Sequence, residues 1–163
     1  MALDATVSGA ASNSFVTRAE ANTYFGDRSY VAEWTAATDA AKDAALVTAS
    51  RRVDEEQFVG GRTTLTQALQ WPRHDTYTDD GVAYDSAAIP ARVKEAVFMC
   101  ALEILKTDFL QQNYLANYSF LQSGTVSFKQ FQPGTSGRLP DAVQRLLRGL
   151  ILGYGGSLRI VRG

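Results

Sequence analysis

The segment that begins at Pro90 constrains the fold of this chain more than any other. Its apolar residues recur at helical spacing and cover a broad face over about five turns; they are Val93, Ala96, Val97, Cys100, Ala101, Ile104, Leu105 and Phe109. Proline suits the first turn of a helix, because the backbone N–H that it lacks would have no partner there. The pattern therefore predicts a long helix at the centre of the hydrophobic core.

Two shorter helical segments are predicted before it. Thr17 and Glu20 have the spacing of a capping box, in which each side chain accepts a hydrogen bond from the backbone N–H of the other residue. They begin a short aromatic helix that ends at Gly26. The residues from 29 to 34 predict a further helical turn against the core.

An alanine-rich helix and a last helix complete the predicted bundle. Thr38 and Asp39 are good N-cap residues, and the helix after them is predicted to run to about Gln57. Its apolar residues are mostly small, which predicts close approach to a neighbouring helix; they include Ala41, Ala45, Ala49 and Val53. The last helix begins at Pro140.

The predicted fold class is mainly α, a small helical bundle with a long structured loop, a short β segment and an extended C-terminal arm. The stretch 59–88 carries several glycine and proline turns and is too long for a simple connection, so we expect a structured loop. Alternation from Val126 to Lys129 predicts the short strand. The predicted division is a loose leader over 1–14, a helical domain over 15–152 and a docking arm over 153–163.

Charge is distributed unevenly along the chain. The net charge is −1, without the basic excess of a protein that wraps nucleic acid. The stretch 138–163 has five arginines and one aspartate, a net charge of +4 that leaves −5 for the remainder. A basic tail of this kind can dock on an acidic partner, although such tails are more often simply solvated. We expect no membrane-spanning segment and no signal peptide.

No group of residues predicts catalysis, a bound metal or a cofactor, so we expect that the protein is not an enzyme. His74 is the only histidine, and no nucleophile motif accompanies it. The nearby Asp75, Asp79, Asp80 and Asp85 lack the spacing of a calcium loop, and a turn accounts for them. Cys100 lies on the apolar face of the central helix, which predicts an inert core residue.

The loop before the central helix carries the motif Gln67, Leu69, Trp71, Pro72, Arg73. With the order of the elements around it, this motif resembles the head-tail connector family of tailed bacteriophages. The resemblance implies a structural adaptor that forms a ring, expected to be a dodecamer, beneath the portal protein. The implied partners are the portal and the next neck or tail-completion protein, and packaged double-stranded DNA would pass through the lumen without specific recognition. The implied localisation is the portal vertex of the virion, after assembly in the host cytoplasm.

Some members of that family are described as DnaT-like single-stranded DNA-binding proteins, which is the alternative function. A binder of this kind combines a basic groove with aromatic side chains on which bases stack. Aromatic residues do occur between Tyr114 and Phe131, but Lys129 is the only cation between Lys106 and Arg138. The charge pattern therefore favours the adaptor.

Two regions are candidates for the adaptor's interfaces. Trp71 and Arg73 flank a rigid proline and could anchor a partner, although Trp71 could equally cap the core. The other candidates are in the last helix and the arm, which could add a strand to the portal or to a neighbouring subunit; they are Leu146, Leu147, Leu158, Arg159, Ile160, Val161 and Arg162. For the two helical leucines, packing within the chain is the alternative.

Overall fold

The computed structural model describes residues 2–106, 118–123, 126–131 and 139–152, with side chains in the first and last of these ranges. The described chain is mainly helical, which confirms the predicted fold class. Its helices are α1 (Arg18–Gly26), α2 (Ala32–Ala36), α3 (Asp39–Asp54), α4 (Ala91–Lys106) and α5 (Asp141–Leu147). Its strands are β1 (Gly61–Arg62), β2 (Arg73–His74), β3 (Tyr118–Ser123) and β4 (Val126–Phe131). Within the described ranges, no helix combines the length and the apolarity needed to cross a membrane.

Helix α4 occupies the centre of the core, as predicted. Helices α2, α3 and α5 all pack against it. Its apolar face has no exposed surface at five positions: Val93, Ala96, Val97, Cys100 and Ala101. Burial of this face contributes most of the favourable free energy that α4 adds to folding, at about 25 cal/mol for each Å² of apolar surface.

Helix α3 approaches α4 through small side chains. Ala45 and Ala49 are buried between the two helices, and the hydroxyl of Thr38 caps the helix by accepting a hydrogen bond from the Ala41 N–H. The sequence predicted that this helix ends at about Gln57, but it ends at Asp54. The reason is the long loop, because the Gln70 side-chain amide donates to the Asp54 and Glu56 carbonyls in place of a further turn.

The first two helices depart from the prediction only in the position of α2. The Thr17 and Glu20 capping box is present and begins α1. Helix α2 begins at Ala32, three residues later than the predicted turn. Tyr30 has a φ of 61°, in the left-handed region, and a right-handed helix cannot include such a residue.

The predicted loop and strand are both present. In the loop, β1 pairs with β2, and an isolated bridge between Tyr77 and Ala83 closes a second turn. The predicted strand is β4, which pairs antiparallel with β3. The sequence did not predict β3, because Tyr114, Tyr118 and Phe120 show no clear period in the sequence.

The N-terminal segment, which the sequence predicts to be a loose leader, makes hydrogen bonds within itself and to α3. The Asp4 carbonyl accepts hydrogen bonds from the N–H groups of Asn13 and Ser14. The buried Ser50 hydroxyl accepts from the Phe15 N–H at 3.1 Å and contacts the Ser14 hydroxyl at 3.2 Å. These hydrogen bonds act together with the packing of Leu3 against the core, and a composition rich in Ala, Ser and Gly gave no sign of them.

The α3–α4 contact predicts an asymmetry between two alanines of one helix. Ala49→Leu should lower the free energy of unfolding by about 1–3 kcal/mol, because the contact has no room for three more carbon atoms. Ala44→Leu is the matched control, since Ala44 is exposed on the same helix, and it should change stability by less than about 0.5 kcal/mol. Urea denaturation measures both values, and equal effects would contradict the packing described.

Candidate functional site

The Arg73 guanidinium ties the long loop to the backbone of residues 58–60. Its Nε donates to the Val59 carbonyl at 2.8 Å, and Nη2 donates to the carbonyls of Gly60 at 2.6 Å and Phe58 at 3.2 Å. The residue is only 7% exposed. Burial lowers the pKa of Arg73, but an arginine stays charged in proteins, and the carbonyls replace the water that burial removes. The guanidinium is therefore an internal fastener of the loop.

The rest of the motif is also engaged internally. The Gln67 side chain accepts from the Thr64 N–H and donates to the carbonyls of Leu69 and Pro72. Trp71 is 1% exposed, precedes Pro72 through a cis peptide bond, and packs edge-on against Phe58. Trp71 thus caps the core, which was the alternative to an interface anchor. The interface role predicted for Trp71 and Arg73 stays a prediction, and every contact described for them is internal.

The other predicted interface residues divide between the core and the end of the chain. Leu147 is fully buried and Leu146 is half-buried against the core, so their described contacts are intramolecular. The predicted arm over 153–163 lies outside the described residues, and with it five interface candidates: Leu158, Arg159, Ile160, Val161 and Arg162.

The residues considered for catalysis are not assembled into a site. His74 is exposed, and its Nδ1 lies 2.7 Å from Oδ2 of the adjacent Asp75. Burial raises the pKa of the Cys100 thiol to about 12, which removes the reactive thiolate at neutral pH. Within the part of the chain described with side chains, no three His, Cys, Asp or Glu residues group closely enough to hold a metal ion.

An open groove of about 500 Å³ runs between α1 and α4. Its floor is aromatic, because the rings of Tyr24 and Phe98 lie 4.6 Å apart between centroids. Ala19 and Ala91 keep the groove wide, since neither fills it with a larger side chain. Burial raises the pKa of Tyr24, which keeps its hydroxyl protonated.

Charged groups line the edge of this groove. Lys94 forms an ion pair with Glu20 at 2.6 Å. Burial alone would raise the pKa of Glu20, but hydrogen bonds from Lys94 and Thr17 outweigh it and hold the pKa below its ordinary value. Arg28 lies over the Tyr24 ring, with Cζ 3.3 Å from the ring centroid, and its Nη1 donates to the Tyr24 carbonyl at 2.7 Å. The groove therefore ends in an arginine stacked on a tyrosine.

The side chains of four exposed arginines elsewhere on the surface make no ion pair or hydrogen bond with any residue of the described ranges. They are Arg51 on α3, Arg62 on β1, and Arg145 and Arg148 at α5. The carboxylates beside Arg51 have other partners: Asp54 accepts from the Gln70 N–H, and Glu55 pairs with Arg52. Among the described residues the four guanidinium groups therefore form no ion pair, although Arg62 also attracts the Asp54 carboxylate.

Comparison with known proteins identifies the family of the chain. The family described as "Putative DnaT-like ssDNA binding protein" matches residues 1–163, which is the whole sequence. The chain belongs to this family. No curated protein and no solved structure matches it.

The predicted membership of the head-tail connector family is therefore wrong. Nothing in the comparisons indicates a connector, a portal partner or a dodecameric ring, and the family that matches carries the DnaT-like description instead. The structure gives the physical reason for the error. The contacts described for the motif from Gln67 to Arg73 hold a loop within the chain, so local folding accounts for the motif without a portal partner. The predicted localisation in the virion has no observation behind it apart from that resemblance.

The expectation that DNA would pass without recognition is also contradicted by the family match. It came from the resemblance to the connectors, with which the acidic net charge of the body agreed, but net charge counts paired and unpaired groups alike. Several carboxylates of the body are already paired with cations, among them Glu20, Asp43 and Glu55. The sequence analysis also missed the stack of Arg28 on Tyr24. The two residues are four positions apart at the end of a helix, a spacing that places side chains on the same face.

The contacts of Arg73 predict that it is required for stability. Arg73→Ala should lower the free energy of unfolding by about 2–4 kcal/mol, because it leaves the buried Phe58 carbonyl and the partly buried carbonyls of Val59 and Gly60 without their donor. Arg62→Ala removes the exposed arginine that is the β-partner of Arg73, and it should cost less than about 0.5 kcal/mol. Similar midpoints in urea for the two variants would show that the guanidinium does not fasten the loop.

Proposed function

We propose that this protein binds single-stranded DNA without catalysing a reaction. The observation that carries the proposal is the match of the whole chain to a family of DnaT-like single-stranded DNA-binding proteins. Two features of the structure support it. Four exposed arginines form no ion pair with any described residue, and an aromatic groove ends at Arg28. Backbone-tracking cations combined with aromatic surfaces are the usual means of binding a single strand.

The electrostatic part of the binding is assigned to Arg51, Arg62, Arg145 and Arg148. A guanidinium is weakly hydrated and can donate two parallel hydrogen bonds to a phosphate, so an unpaired arginine suits this contact better than a paired lysine. The last two belong to the C-terminal stretch with a net charge of +4, which adds attraction at longer range.

The number of phosphates that the protein neutralises can be read from the dependence of affinity on salt. Binding of a labelled oligothymidylate, followed by fluorescence anisotropy at several salt concentrations, should give a linear plot of log K against log salt. Changing the four arginines to alanine should make the slope less steep, by about 0.7 for each phosphate that is no longer neutralised by an arginine.

Lys106→Ala is the matched control for charge, because Lys106 is paired with Glu103 at 3.0 Å and should not be a phosphate ligand. Its slope should equal that of the unmodified protein. An unchanged slope in the fourfold variant would contradict the assignment of phosphate contacts, and no binding of the single strand at low salt would contradict the proposed function.

Absence of catalysis is a separate part of the proposal. The burial of Cys100 and the exposed, adjacent positions of His74 and Asp75 support it, since neither arrangement activates a nucleophile. Incubation with single-stranded and duplex DNA and divalent cations should leave both intact. Cleavage that disappears in His74→Ala would overturn this part and leave the binding proposal standing.

A further inference from the structure

Tyr30 has a conformation and an exposure that the fold does not require. It lies in the turn between α1 and α2 with a φ of 61°, and it is 93% exposed. A tyrosine in the left-handed region is destabilising relative to glycine, and an exposed ring gains no burial to offset that cost. Strained residues of this kind are concentrated at binding sites.

Arg28 is two residues away in the same turn. One face of its guanidinium is stacked on Tyr24, and no second ring of the described residues stacks on it. Arg28 is itself exposed, so a further planar group can reach it. The turn therefore presents two planar groups to solvent, the Tyr30 ring and the Arg28 guanidinium.

The groove between α1 and α4 begins at the same place, because Tyr24 belongs both to its floor and to the stack with Arg28. Its lining is largely apolar, and its volume of about 500 Å³ is in the range of sites for small planar ligands. Lys94 is already paired with Glu20, so few free polar groups could read the edge of a base.

We propose that the turn 27–31 is a base-stacking site, where Tyr30 and Arg28 take unpaired nucleobases of single-stranded DNA and the groove receives the adjoining base. The inference rests on the proposed function and names the part of the ligand that this surface binds. Stacking on planar side chains tolerates any base, so binding here shows little sequence preference. Phosphate contacts belong to the separate set of arginines.

Tyr30→Gly tests the site without endangering the fold. Glycine relieves the left-handed strain, so the melting temperature should rise by about 2–4 °C. Loss of one stacked base should weaken binding of a labelled oligothymidylate of about twelve nucleotides by about tenfold, with the salt slope unchanged.

Tyr30→Phe keeps the ring and should bind like the unmodified protein. Arg28→Lys keeps the charge but loses the planar group, and it should weaken binding as well.

Tyr77→Ala is the matched control, because Tyr77 is the other exposed tyrosine of the described ranges and lies in the long loop. It should leave the affinity unchanged. Binding by Tyr30→Gly and Arg28→Lys equal to that of the unmodified protein would overturn the stacking site while leaving the proposed function intact. Unchanged DNA binding with loss of self-association in sedimentation would make the turn a contact between copies and would also overturn the inference. No binding by the unmodified protein would refute the proposed function itself.

Discussion

Burial of α4 among its neighbours is the constraint on which the rest of the structure depends. Helices α2, α3 and α5 are positioned by packing on it, and five residues of its apolar face are closed to solvent. The strip that those helices leave uncovered includes Ala91, Lys94 and Glu95, which become one wall of the groove against α1. The candidate binding surface is therefore a consequence of how the core is closed.

Most of the fold was predictable because its signals are local. Helical periodicity and the caps at Thr17 and Thr38 depend on residues a few positions apart, and they predicted the helices of the bundle. The failures involve interactions between distant residues or unusual backbone. Strand β3 depends on pairing with β4, and the left-handed conformation of Tyr30 makes α2 begin later than predicted.

The candidate site was much less predictable than the fold. The motif around Trp71 is rare enough to suggest a family, but its side chains are engaged in holding a loop, so it misidentified the partner. Net charge misled in a similar way, because it cannot distinguish Arg52, which is paired with Glu55, from Arg51, which has no ion pair with any described residue. The pairing of a charged group and the exposure of an aromatic ring depend on the tertiary structure, and they cannot be derived from counts of residues.

The central claim is that the turn 27–31 and the groove between α1 and α4 bind DNA whose bases are unpaired. The most direct measurement is competition between a single strand and a duplex of the same sequence for the full chain at one fixed salt concentration. Stacking on exposed planar groups is open to unpaired bases and closed to those of a duplex, so the single strand should displace the duplex. Equal affinity for the two, or tighter binding of the duplex, would contradict the claim, because phosphate attraction alone would then account for the binding.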